Sequence, residues 1–142
     1  MQKKYRLKNG RVFSYLHRKG ESNANKMLVL VHAPSKYALK VGFIVSKKVD
    51  NRAVIRNKVR RRLREAFRAL IPYLKDNENY IVIARESCGE ADFEEIANSL
   101  AHVLVKSNLV VKDIDEDVAK RLKLKQGVLD KAKFERRRTD DK

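Results

Sequence analysis

Residues 39–68 read LKVGFIVSKKVDNRAVIRNKVRRRLREAFR, and the side-chain period changes within them. Over 39–46, Leu39, Val41, Phe43 and Val45 alternate with Lys40, Gly42, Ile44 and Ser46, the period of a strand. From about residue 53 to 74 the period is helical, with a bend expected at Pro72. On a wheel of 100° per residue, Ile55, Val59, Leu63, Ala66, Phe67 and Leu70 fall within about 120° of one another. That stripe predicts a helix docked on a sheet that includes the strand before it.

The same helix carries the strongest charge signal. Of the thirteen residues 56–68, seven are Arg or Lys, and Glu65 is the single acid. Arg56, Arg60 and Arg64 step along one flank of the apolar stripe, and Asn57, Arg61 and Arg68 widen that strip. Lys58 and Arg62 fall on the opposite flank. Like charges at this spacing repel, and an ordinary solvated face would mix signs. A row of guanidinium groups about 6 Å apart on a rigid rod instead suits successive phosphates, each held bidentately. Lys47 and Lys48, at the end of the strand, point to the same region.

Charge is uneven along the 142 residues, whose net is +16. Residues 1–72 hold twenty Lys and Arg against three acids, residues 73–112 are net acidic, and residues 113–142 are nearly balanced. Self-repulsion on this scale implies a polyanionic partner. Nucleic acid is favoured over a membrane surface, because no helix faced with Trp, Phe and Leu accompanies the charge. The hydrophobic fraction of 43% is enough for one folded domain, and the longest apolar run, MLVLV at 27–31, is strand-sized. The basic start lacks the apolar segment of a secretory signal, and the single Cys88 can form neither an internal disulfide nor a zinc cluster. The expected location is the cytoplasm. Cys88 reads as a small packed residue at a strand end, and His17, His32 and His102 as surface or core residues rather than general bases.

Around the decisive stretch, a short helix is expected over about 9–18, stopped at Gly20. A strand over 26–33 is punctuated by Pro34, and the 39–46 strand is expected to run antiparallel to it across the short turn. A third early strand has no separate apolar run. NYIVIAR at 79–85 reads as a buried strand, and 91–108 as a helix with Phe93, Ile96, Ala97, Leu100 and Leu104 inward. Residues 113–142 are more than half charged, with a weak stripe at Val118, Leu122 and Leu129, and read as a tail that is partly helical or disordered. Tyr5, Phe13, Tyr15 and Tyr37 lie in the basic half, where an exposed ring can stack on an unpaired base.

The stretch 39–68 resembles the protein subunit of bacterial ribonuclease P. The motif is Arg56-Asn57-Lys58-Val59-Arg60-Arg61, preceded by Ser46-Lys47-Lys48 and followed by Arg64-Glu65-Ala66-Phe67; RLKNGRVFSYLHRKG and NYIVIAR are similar to other family segments in the same order. The resemblance covers roughly residues 5–110. It implies an α+β fold: a two-layer α-β sandwich in α-β-β-β-α-β-α order, ribosomal protein S5 domain 2-like. The crossover before the basic helix would be left-handed, against the usual rule. It also implies residues 1–112 as the domain, with 113–142 outside the common pattern. In the family a large catalytic RNA, with Mg²⁺ bound mainly by that RNA, removes the 5′ leader of precursor tRNA. The protein binds the RNA subunit and the leader, with no obligate protein partner and no membrane.

Carried onto this chain, the RNA-binding residues implied are Arg56, Asn57, Lys58, Arg60, Arg61, Arg64 and Arg68, flanked by Ser46, Lys47, Lys48 and Arg52. The leader cleft implied is Phe13, His17 and Val31. His17 stands where a second aromatic is expected, Val31 where an aromatic is often found, and Lys58 where Arg is usual. The chain shows no paired carboxylates, metal-ligand cluster or Gly-rich phosphate loop of its own, so no catalytic residue is expected in it. A structural RNA-binding protein, such as a ribosomal protein, shares the charge and fold type. A DNA-binding regulator is disfavoured because no short helix and turn precede the basic helix, and a stand-alone nuclease fits least.

Overall fold

A computed structural model describes residues 3–7 and 10–140, and the side chains of Lys3, Val12, His17 and 134–140 fall outside that description. Four strands form one sheet: β1 (Glu21–Ala24), β2 (Leu28–Pro34), β3 (Lys40–Ile44) and β4 (Glu78–Ala84). Their order across the sheet is β1-β2-β4-β3. β2 pairs antiparallel with β1 and with β4, whereas β3 pairs parallel with β4. The helices are α1 (Gly10–Lys19), α2 (Ala53–Leu70), α3 (Phe93–Lys106), α4 (Glu116–Leu122) and α5 (Gln126–Asp140).

This order corrects the expected pairing of the two early strands. β2 and β3 do run in opposite directions, but β4 lies between them. The reason is burial: β2 and β4 are apolar on both faces and take the centre, while β3, with Lys40 and Gly42, takes an edge. The connection over 35–39 passes the start of β4, where the Ser35 amide donates to Asn77 O (2.8 Å) and the Leu39 amide to Asp76 Oδ1 (3.0 Å). The third early strand, β1, is the short polar sequence ESNA, a suitable edge. Its turn is built by Asn25, whose Oδ1 accepts from the Met27 and Leu28 amides at 3.1 and 2.9 Å.

One sheet face presents Leu28, Leu30, Val41, Tyr80 and Val82 to α2 and α3 in the main core. Phe67 of α2 is fully buried there, with ring centroids 5.8 Å from Phe43 and 5.5 Å from Tyr80, both edge to face. The opposite face carries α1, whose Leu16 is buried with Val31, Ala33 and Ile81 of the sheet. The helix ends where expected: the Gly20 amide donates to Leu16 O at 2.9 Å. α2 stops at Leu70, and Pro72 sits in a 3-10 turn, Ile71–Tyr73, rather than at a bend within the helix. At the start of α3, Asp92 and Glu95 form a reciprocal capping box.

Residues 116–122 and 126–140 are helical, and α4 buries Ala119 and Leu122. Asn98 of α3, itself buried, donates to Lys123 O (2.9 Å) and accepts from the Lys125 amide (2.7 Å), pinning the turn between α4 and α5. Beside it on α3, Ala101 and Val105 are also buried, so this helix is apolar on more than the one stripe read from sequence.

Gly20 is required by close approach rather than by backbone angle. A Cβ there would stand 2.6 Å from Leu16 O and 2.8 Å from Val31 Cγ1. Gly20→Ala is therefore expected to destabilise the protein by about 1–3 kcal/mol, the usual cost of overpacking. Chemical denaturation checks this, and an unchanged midpoint would contradict the packing described.

Candidate nucleic-acid interface

The N-terminus of α2 begins without help from its own sequence. Its first turn holds no acid, and Arg52 at the N-cap makes no side-chain cap. Positive side chains near this end oppose the helix dipole. The loop before it supplies the compensation: Asp50 accepts from the Arg52 amide (2.8 Å), Nε (3.1 Å) and Nη2 (3.0 Å). Arg56 reaches back to Asp50 O (3.1 Å) and Asn51 O (2.7 Å). The hydrogen bonds from Arg52 hold the Asp50 carboxyl down at about 2.

Beyond that clamp the charges are left open. Arg60 donates to Asn57 Oδ1 (2.8 Å) rather than to a carboxylate, and Lys58, Arg61 and Arg68 are exposed. Arg64 is half-buried; desolvation first, then repulsion from Arg60 and Arg6, push its pKa down. Arg6 was not visible as a member of this site from sequence. It arrives because the N-terminal segment lies along the free edge of β3, bridging Val41, with the Leu7 amide donating to Val41 O at 3.0 Å. No local spacing signals that approach. Ser46, Lys47 and Lys48 are exposed on the turn after β3, on the way to α2. Arg62 differs from its neighbours: it donates to Ala91 O (2.6 Å) and latches α2 to the start of α3.

On the other sheet face, Phe13 of α1 rests over Gly42, whose absent Cβ would lie 2.6 Å from the ring. Val31 is only 7% exposed beneath α1. The apolar surface that remains half-open beside Phe13 is a row across three strands, Val29, Ile83 and Ile44, placed opposite one another by the register. The His17 side chain lies outside the described residues. Tyr15 and Tyr37 are exposed at 50% and 74%.

Cys88, His32 and His102 each sit in a packed or hydrogen-bonded setting. Cys88 is buried, and burial pushes its thiol up to about 11. His32 Nδ1 lies 3.2 Å from Glu78 Oε2 with both residues buried, and His102 Nδ1 is 3.3 Å from Asn25 Nδ2. Among the described residues no group of three or more His, Cys, Asp or Glu is placed to hold a metal ion, and no helix is long and apolar enough to cross a membrane. The nitrogen donors of the α2 face do not ligate Mg²⁺, which takes oxygen.

The depressed carboxyls give a pH dependence of defined sign. Asp50 in the folded chain, at about 2, lies below its ordinary value of 3.8. The stability it contributes is therefore present above 3.8 and is lost as pH falls towards 2. Asp76, lowered by the amides of Leu39 and Asn77, acts in the same sense. Melting temperatures between pH 6 and pH 2 should fall in the acid window, and Asp50→Ala should flatten part of that fall. Parallel curves for the two proteins would remove Asp50 from the clamp.

The model of the family described as Ribonuclease P matches residues 1–108. A ribonuclease P protein component of Bacillus cereus (strain B4264) is 35% identical over 111 residues, covering 77% of this chain and 96% of that protein. One from Bacillus anthracis (strain CDC 684) is 34% identical, covering 77% of this chain and 92% of its own length. Among solved structures, the Staphylococcus aureus RNase P protein superposes with a TM-score of 0.70 at 34% identity, over 75% of this chain and 97% of that one. The Thermotoga maritima RNase P protein gives 0.61 at 26% identity, over 67% and 90%. The family model stops short of α4 and α5.

Proposed function

This chain belongs to the ribonuclease P protein family, and from that premise we propose that it binds the catalytic RNA subunit and the 5′ leader of precursor tRNA, promoting Mg²⁺-dependent removal of the leader to give mature tRNA 5′ ends. The observation that carries the RNA-binding part is the open arginine face of α2. Arg60, Arg61, Arg64 and Arg68 stand on a helix fixed by its buried apolar stripe, with Asn57 and Lys58 beside them and Lys47, Lys48 and Arg52 at its entry. A folded RNA presents phosphates at fixed spacing, and a rigid row of guanidinium groups meets them without ordering new backbone. Arg6 extends the same field from the β3 edge.

Leader binding is assigned to the other sheet face. Phe13 with Val29, Ile44 and Ile83 offers a half-open apolar strip on which unpaired bases can rest. Val31 supports that strip from beneath α1. Bond cleavage and the Mg²⁺ ions fall to the RNA, and the protein contributes charge and shape.

Reconstitution tests this reading. The purified chain should cleave no precursor tRNA alone, yet raise cleavage by its cognate RNA at low Mg²⁺. Arg60→Ala should weaken RNA binding and lower the slope of log affinity against log salt by about one. Leader cleavage without RNA, or an unaltered slope for Arg60→Ala, would overturn it.

A further inference from the structure

The arginine row of α2 ends beside helices that lie beyond the segment the family model matches. Arg68 lies one turn beyond Arg64, and it opens onto a groove of about 460 Å³ between α2, α3 and α4. The far wall of that groove belongs to α4, where Val118 and Arg121 line it. Arg121 is exposed, as is its neighbour Lys120. Two guanidinium groups from separate elements therefore border one cavity. Its floor is apolar, with half-buried Phe93 and the exposed ring of Pro72 beside the nearly closed Ala69.

We infer that this groove seats one unpaired nucleotide of the RNA partner, its phosphate between Arg68 and Arg121 and its base against Phe93 and Pro72. The inference rests on the RNA-binding reading of α2 and extends that interface onto the added C-terminal helices. The groove's volume falls in the range of clefts that enclose small groups. Continuity favours RNA over an acidic peptide, because a strand already held along Arg60 and Arg64 is delivered to Arg68 by the same helix. Glu65 also lines the groove and sorts the occupant. Its carboxylate repels a phosphate from its own side and can accept from a base amino group or a 2′-hydroxyl. The α4 wall is held in place independently of the arginines: Asn98 fixes the turn after α4, and Leu122 is buried beneath it. Arg121 can thus be changed without unfolding its support.

The test uses the full chain and its cognate RNA, with Arg121→Ala, Arg121→Lys and Arg64→Ala measured in parallel across a salt series. Arg121→Ala should lose affinity several-fold and lower the salt slope by about one, whereas Arg121→Lys should keep the slope. Far-UV circular dichroism and melting temperature should match wild type. Acylation of RNA 2′-hydroxyls should show one unpaired nucleotide protected by wild type and released by Arg121→Ala. An unchanged slope for Arg121→Ala beside a lowered slope for Arg64→Ala would overturn the groove while leaving the α2 interface standing. Unchanged slopes for both would overturn the α2 reading itself. Release confined to base-paired nucleotides, or saturable binding of free adenosine monophosphate that Arg121→Ala abolishes without altering RNA binding, would also reject it.

Discussion

The packing of Phe67 against Phe43 and Tyr80 is the contact on which the rest of the molecule depends. It joins the basic helix to the two strands that its own connection makes parallel, and the Phe67 ring meets each of the other two edge to face. A buried aromatic ring of this kind is worth about 1.5–3 kcal/mol in removed surface alone. Its directional value is larger. Once the stripe from Ile55 to Leu70 points inward, helical geometry places Arg61 on the outer side and Arg60 and Arg64 along the flank beside Phe67, where they are half-buried. The Tyr80 hydroxyl donates to Lys75 O at 2.7 Å, so the same ring also fixes the chain entering β4.

Against that anchor stands a charge arrangement that lowers stability. α2 places cations at its positive end, has no acid in its first turn, and sets Arg60 and Arg6 against a partly desolvated Arg64. The protein relieves this where the fold requires it and not where RNA would bind. Asp50 and the carbonyls of residues 50 and 51 neutralise the helix entry, and Ala91 O receives Arg62. The outward strip is left for a counter-charge from outside. Such a surface exchanges folding free energy for binding.

Much of this was legible in the sequence, for physical reasons that differ by element. The alternation over 39–46 and the stripe of α2 are amphipathic patterns that one period describes, and Asp92 with Glu95 announces the start of α3. β1 escaped because an edge strand buries little and needs no apolar run. The insertion of β4 between β2 and β3 escaped because pairing is decided by which strands must be covered on both faces, a comparison between distant segments. Arg6 joins Arg64 through an edge contact at β3 that no local pattern encodes. The docking of α4 and α5 had a trace in α3, where Asn98, Ala101 and Val105 form a second buried face. The highly charged composition of residues 113–142 concealed it.

The central claim is that the α2 strip accepts a cost in stability for the sake of an RNA, and Arg64→Gln tests it most directly. Melting temperature at low salt and affinity for the cognate RNA should be measured on the same preparation. The account predicts a melting temperature equal to or above wild type, because one repelling charge is gone, together with RNA affinity reduced several-fold. A lowered melting temperature with undiminished RNA affinity would contradict it, and would make Arg64 a structural residue.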